Sequence, residues 1–261
     1  MSTFAQALTE LWPNSDAKIA GLRDGMIETA PAVFQRYGIK TPLLIAHVMA
    51  QISHECGAGS EVVENLNYSS ARLLQVWPKH FNSSNVAIYA NNPQKLANFI
   101  YNPPQHTDLG NQPYSQDGWT YRGRGASQTT GRAGYARLAT ATGLDLLSKP
   151  ELVNDPRYFM LCGVADFILC GCLPYAVADD IVGVTKKLNG GTVGLDQRRA
   201  WLAKWKAANV QPSNIIILPT TPRPLPPDVP APIPAPKPAS GFAAFISAIL
   251  NAIAAIFKRS K

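Results

Sequence analysis

The chain has 261 residues, 46% hydrophobic and 16% charged, with a formal net charge of +7. That composition excludes disordered and fibrous classes and allows one sizeable core with appendages. A body of about 200 residues buries roughly 70% of its unfolded surface, so it needs no covalent or metal staple. Cys56, Cys162, Cys170 and Cys172 fit neither a disulfide scaffold nor a paired CxxC zinc site, and they read as free buried thiols. The basic balance points to an anionic partner: nucleic acid, a membrane or an acidic polymer.

The first twelve residues read as a short amphipathic helix with no basic start and no cleavage site. Synthesis in a cytoplasm without a signal peptide is therefore the expectation. Pro13-Asn14-Ser15 precedes a helix over 16–37, closed by Gly38. Thr41 before Pro42 is a cap followed by a first-turn proline, opening a helix over 42–56. Ser69 caps a short helix over 71–76. Between Tyr101 and Ala126 runs a polar stretch rich in Asn, Gln, Gly and Tyr, and a loop that long is usually functional. Further helices are expected over 131–142, stopped by Gly143, then 157–172, from Asp179 or Asp180 to 188, and 195–208. No run alternates strongly enough for a strand outside that loop. The body, residues 1–210, is mainly α.

From residue 211 the chain changes character. Half of its 22 prolines lie between Pro212 and Pro238, so 211–240 reads as an extended proline-rich linker. At ~3.1 Å per residue the stretch from Pro212 to Pro238 holds its two ends up to about 80 Å apart. Residues 241–261 are apolar from Phe242 to Phe257 except Ser247 and Asn251, then end in Lys258, Arg259 and Lys261. As a helix this segment is short of the ~30 Å hydrocarbon core, and it is expected to engage an anionic membrane or lipopolysaccharide as an amphipathic element. Docking on the body or self-association is the alternative.

Chemistry concentrates near Glu55 and Glu64, nine positions apart. Glu55 ends an apolar helix, where partial desolvation favours a neutral, proton-donating carboxyl. Glu64 lies among Asn65, Asn67 and Tyr68, a polar turn where a carboxylate stays ionised and draws a proton from water. An acid in a dry setting and a base in a wet one is the pairing glycosidic-bond hydrolysis requires. The alternative is a structural Glu55–Arg pair and a solvated Glu64. A zinc protease is excluded because Ala58 stands where HExxH needs histidine. The 123–131 stretch GRGASQTTG lacks the GK[ST] ending of a phosphate loop and suits a carbohydrate subsite instead. A Cys56-dependent amidase remains a further alternative.

These segments carry a resemblance. HEC-G at 54–57, ENLNYS at 64–69, YRGRGASQTTG at 121–131, G-DL at 143–146, PELV at 150–153 and LNGG at 188–191 resemble family 19 glycoside hydrolases. This is the chitinase-like group of the lysozyme superfamily, and the nearest likeness is to its bacteriophage endolysin branch. The motifs follow the family's order over about residues 40–205.

The resemblance implies a two-lobed, lysozyme-like helical domain with a substrate cleft and an inverting mechanism without metal or organic cofactor. It places the general acid on Glu55, the general base on Glu64 and the water-holding hydroxyl on Thr130. Gln128 and Asn189 fall on sugar-binding positions, Tyr68 and Tyr121 on the cleft walls. The arginine that pairs with the catalytic carboxylates falls on Arg198, beside Arg199. The chain departs from the family at Gly134, where asparagine is frequent, and at Cys56, where threonine or serine is usual.

Together these readings predict a monomeric phage endolysin that cuts β-1,4 bonds of peptidoglycan glycan strands, made in the host cytoplasm and acting in the periplasm, with the outer membrane as a further place of action. No nucleic-acid partner is expected. A chitinase acting on chitin oligomers and a mainly membrane-permeabilising protein are the alternatives. The segment from 211 carries five basic residues against one acidic, leaving +3 on the body.

Overall fold

The computed structural model describes residues 2–212. The expected terminal helix at 241–261, and the linker from residue 213 onward, lie outside the described residues.

Helix α1, Phe4–Leu11, begins with a capping box in which Thr3 and Gln6 exchange side-chain and backbone bonds. The helix expected over 16–37 is instead two pieces. Ser15–Ala17 forms a single 3-10 turn, and α2 spans Leu22–Arg36. Gly21 separates them with φ of 71°, a left-handed conformation that favours glycine. Asp16 stays with the first piece and accepts hydrogen bonds from the Arg23 backbone and guanidinium, tying the break to the helix start.

Helix α3, Pro42–Glu55, starts where the Thr41 hydroxyl accepts from the Leu44 N–H. Nearly every side chain from Leu44 to Glu55 is buried, so α3 is a central helix rather than a surface one. Next come α4, Ser70–Val76, capped by Ser69, and α5, Pro93–Tyr101, capped by Asn92. Within the long polar stretch lies one short turn of helix, α6, Asp117–Thr120. Then follow α7, Arg132–Thr142; α8, Phe159–Leu169; α9, Leu173–Val177; α10, Ile181–Asn189; and α11, Leu195–Ala208. Among the described residues there are no strands, only isolated bridges joining Val63 to Arg124 and Arg124 to Thr129.

Two apolar clusters divide these helices. The larger gathers α1–α3 and α7–α11, with α11 packed along α3 and α2 against α8. The smaller is built from Leu66, Leu73, Trp77, Phe81, Leu96, Ile100 and Tyr101, on α4, α5 and the turns between them. This is the two-lobed helical architecture of a lysozyme-like domain. Within the larger lobe, the Trp12 and Trp205 indoles both donate to the Ser53 hydroxyl, at 2.8 and 2.9 Å. One buried oxygen thus joins α1, α3 and α11, two residues before Glu55.

Candidate active site

Glu55 is the last residue of α3 and belongs to the larger lobe. The residue is 7% exposed, and its carboxylate pairs with Arg198 of α11 at 2.5 Å. The Arg198 guanidinium is fully buried and also donates to Gln51, one turn before Glu55. The apolar helix therefore holds a cation as well as an acid. His54, next in the chain, has its pKa pushed down to about 4, chiefly by burial and then by Arg198, so its ring is neutral near pH 7. Asp166 on α8 lies within electrostatic reach of Glu55, and burial raises its pKa against the opposing pull of Arg137. Asp166 also bonds Ser127, which ties α8 to the glycine-rich loop.

Glu64 lies at the junction of the lobes. Tyr101, from the smaller cluster, donates its hydroxyl to Glu64 Oε1 in a short hydrogen bond. The Gly123 N–H approaches Oε2 at 3.4 Å, a weak contact, while the Glu64 N–H donates to the Gly123 carbonyl at 2.9 Å. A Cβ at 123 would lie 3.3 Å from the Glu64 carboxylate and 3.2 Å from the Gln128 amide, a tight fit that would push these side chains aside by a few tenths of an ångström.

The wet setting expected for Glu64 is not what the fold builds. Asn65 and Asn67 are exposed and bond to each other, whereas Glu64 turns inward and is partly buried. Burial raises its pKa, outweighing Tyr101, the Gly123 N–H and Arg122, each of which favours the charged form. Local polarity was misleading because neighbouring side chains in extended backbone point to opposite faces.

No family profile matches the chain. The chain is 33% identical over 176 residues to a glycosyl hydrolase family 19 domain-containing protein of Haemophilus influenzae, spanning 67% of this chain and 84% of that relative. The chain belongs to glycoside hydrolase family 19. It is thereby placed among the glycoside hydrolases, and its two supported carboxylates suit that chemistry.

Of the other expected site residues, Gln128 and Tyr68 lie near Glu64. The Thr130 hydroxyl donates to the Gln128 carbonyl at 2.9 Å. Gln128 adopts φ of 49°, and its amide donates to the Glu61 and Gly125 carbonyls, pinning the loop beneath the Glu64 segment. Tyr68 packs edge-on against Trp77, and its phenol pKa is raised by burial and then by Glu64. Tyr121 is committed to the larger lobe, where its hydroxyl donates to the Leu147 carbonyl and accepts from Arg132. Asn189 ends α10 and donates to the Val193 carbonyl, shaping the turn into α11. Arg199 pairs instead with exposed Asp196.

Cys56 is fully buried, and burial pushes its thiol up to about 12, the setting of an inert cysteine rather than a nucleophile. Three contributors were not singled out from sequence. Tyr101 holds Glu64, Gln51 shares Arg198 with Glu55, and Asp166 holds the loop through Ser127. Tyr101 ends a helix whose Asn92-Pro93 start repeats the Thr41-Pro42 pattern, so that signal was present in the text.

Proposed function

We propose that this family 19 protein is a phage endolysin that hydrolyses β-1,4 bonds of peptidoglycan glycan strands with inversion. The observation that carries the reading is the pair of carboxylates with separate supports, Glu55 on Arg198 and Glu64 on Tyr101 and Gly123. Glu55 protonates the leaving oxygen, and Glu64 takes a proton from water on the opposite face of the sugar. An inverting pair of this kind stands about 6.5–9.5 Å apart, leaving room for that water. Thr130, which spends its own proton on the Gln128 carbonyl, accepts a hydrogen bond from the water. Gln128 and Tyr68 border the Glu64 segment and contact sugar. Tyr121 and Asn189 serve the cleft through the walls they hold. The chain acts as a monomer.

Charge supports the wall polymer over neutral chitin, with +3 on the body and the remaining basic excess beyond residue 210. Purified peptidoglycan treated with the protein is expected to yield cut glycan strands whose new reducing ends carry the inverted configuration, read by mass spectrometry and NMR. Cleavage of chitin oligomers alone would reject the wall reading, and a retained anomer would reject inversion. In this scheme the protein leaves the cytoplasm through a membrane lesion and acts in the periplasm. Residues 241–261 engage anionic membrane or lipopolysaccharide, so deleting them should abolish binding to anionic liposomes. Unchanged binding removes the tail from the scheme.

A second reading exchanges the two acids. Arg198 salt-bridges the Glu55 carboxylate, while burial favours the protonated form of Glu64. The dependence of each glutamine variant on leaving-group quality separates the two assignments.

A further inference from the structure

Arg122 immediately precedes Gly123, the residue whose N–H faces the Glu64 carboxylate. It is half-buried, and its guanidinium lies 3.7 Å from the centre of the Trp119 ring. One of its N–H groups donates to the Trp119 carbonyl at 2.8 Å, which fixes the plane of the fork. The arginines around it are otherwise engaged. Arg124 bonds the Thr120 carbonyl and the Tyr135 hydroxyl, Arg137 pairs with Asp166, and Arg198 pairs with Glu55. Arg122 has no carboxylate within ion-pairing distance among the described residues.

Arg122 is thus a half-buried cation held by the Trp119 ring and carbonyl, with Glu64 within electrostatic reach but outside ion-pairing distance. Its pKa is pushed down to about 10, chiefly by burial and then by Arg124, so it remains charged at neutral pH. Stacking on Trp119 also removes much of its conformational freedom before any ligand arrives. Such a planar, pre-oriented fork matches a carboxylate with two parallel hydrogen bonds, a geometry that an ammonium group cannot reproduce.

We propose that Arg122, held on Trp119, binds a carboxylate borne by the muramyl residue of the substrate and so selects peptidoglycan over neutral chitin. The acid is either the lactyl group itself, where the stem peptide is absent, or a free carboxylate of the stem. This rests on the wall-hydrolase reading and names the residue that makes the choice. The bland alternative is that Arg122 serves only to favour charge on Glu64. That role would act equally on every substrate.

The test compares kcat/KM of the full-length wild type and Arg122→Gln on two matched pairs of polymers. One pair is native peptidoglycan and the same material with its carboxylates amidated; the other is carboxymethyl chitin and glycol chitin. Wild type should favour the native wall over the amidated one by about tenfold, mainly through KM, as one charge-assisted contact implies. Arg122→Gln should lose that preference, and Arg122→Lys should recover only part of it. Strands stripped of stem peptide separate the sources: a preserved effect assigns the lactyl acid, and a lost effect assigns the stem. Equal losses by Arg122→Gln on all four polymers would overturn the proposal in favour of a role at Glu64. Should Arg122→Gln fail to fold, Arg122→Lys with full wild-type preference overturns it equally. If wild type cuts glycol chitin but not native peptidoglycan, the wall reading fails by itself. The carboxymethyl-to-glycol ratio then still decides Arg122: loss of that ratio in the variant supports the anion contact, and an unchanged ratio rejects it.

Discussion

Glu55 and Glu64 stand nine residues apart in the chain, yet the fold supports them by opposite means. Glu55 is anchored by a buried ion pair inside the larger lobe, on a helix clamped by two tryptophans through Ser53. Glu64 has no ion-pair partner among the described residues and is held at the lobe junction by a phenol and a backbone N–H. One acid is therefore part of the architecture and the other is suspended between its two halves. Such a difference implies that removing each acid harms turnover similarly but stability oppositely.

That contrast gives the largest expected effects. Glu55→Gln and Glu64→Gln should each lower kcat by about 10²–10⁴, the usual contribution of a general acid or base. Glu55→Gln strands the buried Arg198 guanidinium and should also cost about 3 kcal/mol in urea unfolding. Glu64 behaves differently because burial raises its folded pKa above its ordinary value of 4.5. Between those two values the folded protein holds a proton that the unfolded chain releases, so stability falls as pH rises through that window. Glu64→Gln lacks this penalty and should be at least as stable as wild type at pH 7. On substrates with an activated leaving group, the variant of the true general acid keeps most of its rate. Retention by Glu64→Gln instead of Glu55→Gln would exchange the two roles.

A smaller effect tests the rigidity of the Glu55 side. Ser53→Ala leaves two buried indole N–H groups without their shared acceptor and should cost about 2 kcal/mol. An unchanged urea midpoint would show that the tryptophans hold α3 by packing alone.

The smallest effect concerns the junction. Tyr101→Phe removes the hydroxyl that favours charge on Glu64, so the acidic limb of the pH–rate profile should move up by about one unit. An unmoved limb would mean that Tyr101 positions Glu64 without setting its charge.

Much of the helical framework was legible from local signals. Thr41-Pro42 and Ser69 mark the starts of α3 and α4, and the 195–208 segment is the observed α11. The break at Gly21 was missed because the polar pattern runs through it, and α5 was missed despite its Asn92-Pro93 start. The glutamates themselves stood out by type, spacing and motif order. Their environments did not.

By itself the sequence determined the helical class, the family motifs and which carboxyls to examine, because caps, glycines and motif spacing act over a few residues. Only the tertiary structure decided how each acid is held. Arg198 lies 143 residues from Glu55, Gly123 lies 59 from Glu64, and Tyr101 lies 37 from Glu64. Desolvation and charge pairing depend on distance in space, so the polar neighbours of Glu64 in the chain conceal a carboxylate that is partly buried. The apolar neighbours of Glu55 likewise conceal a cation.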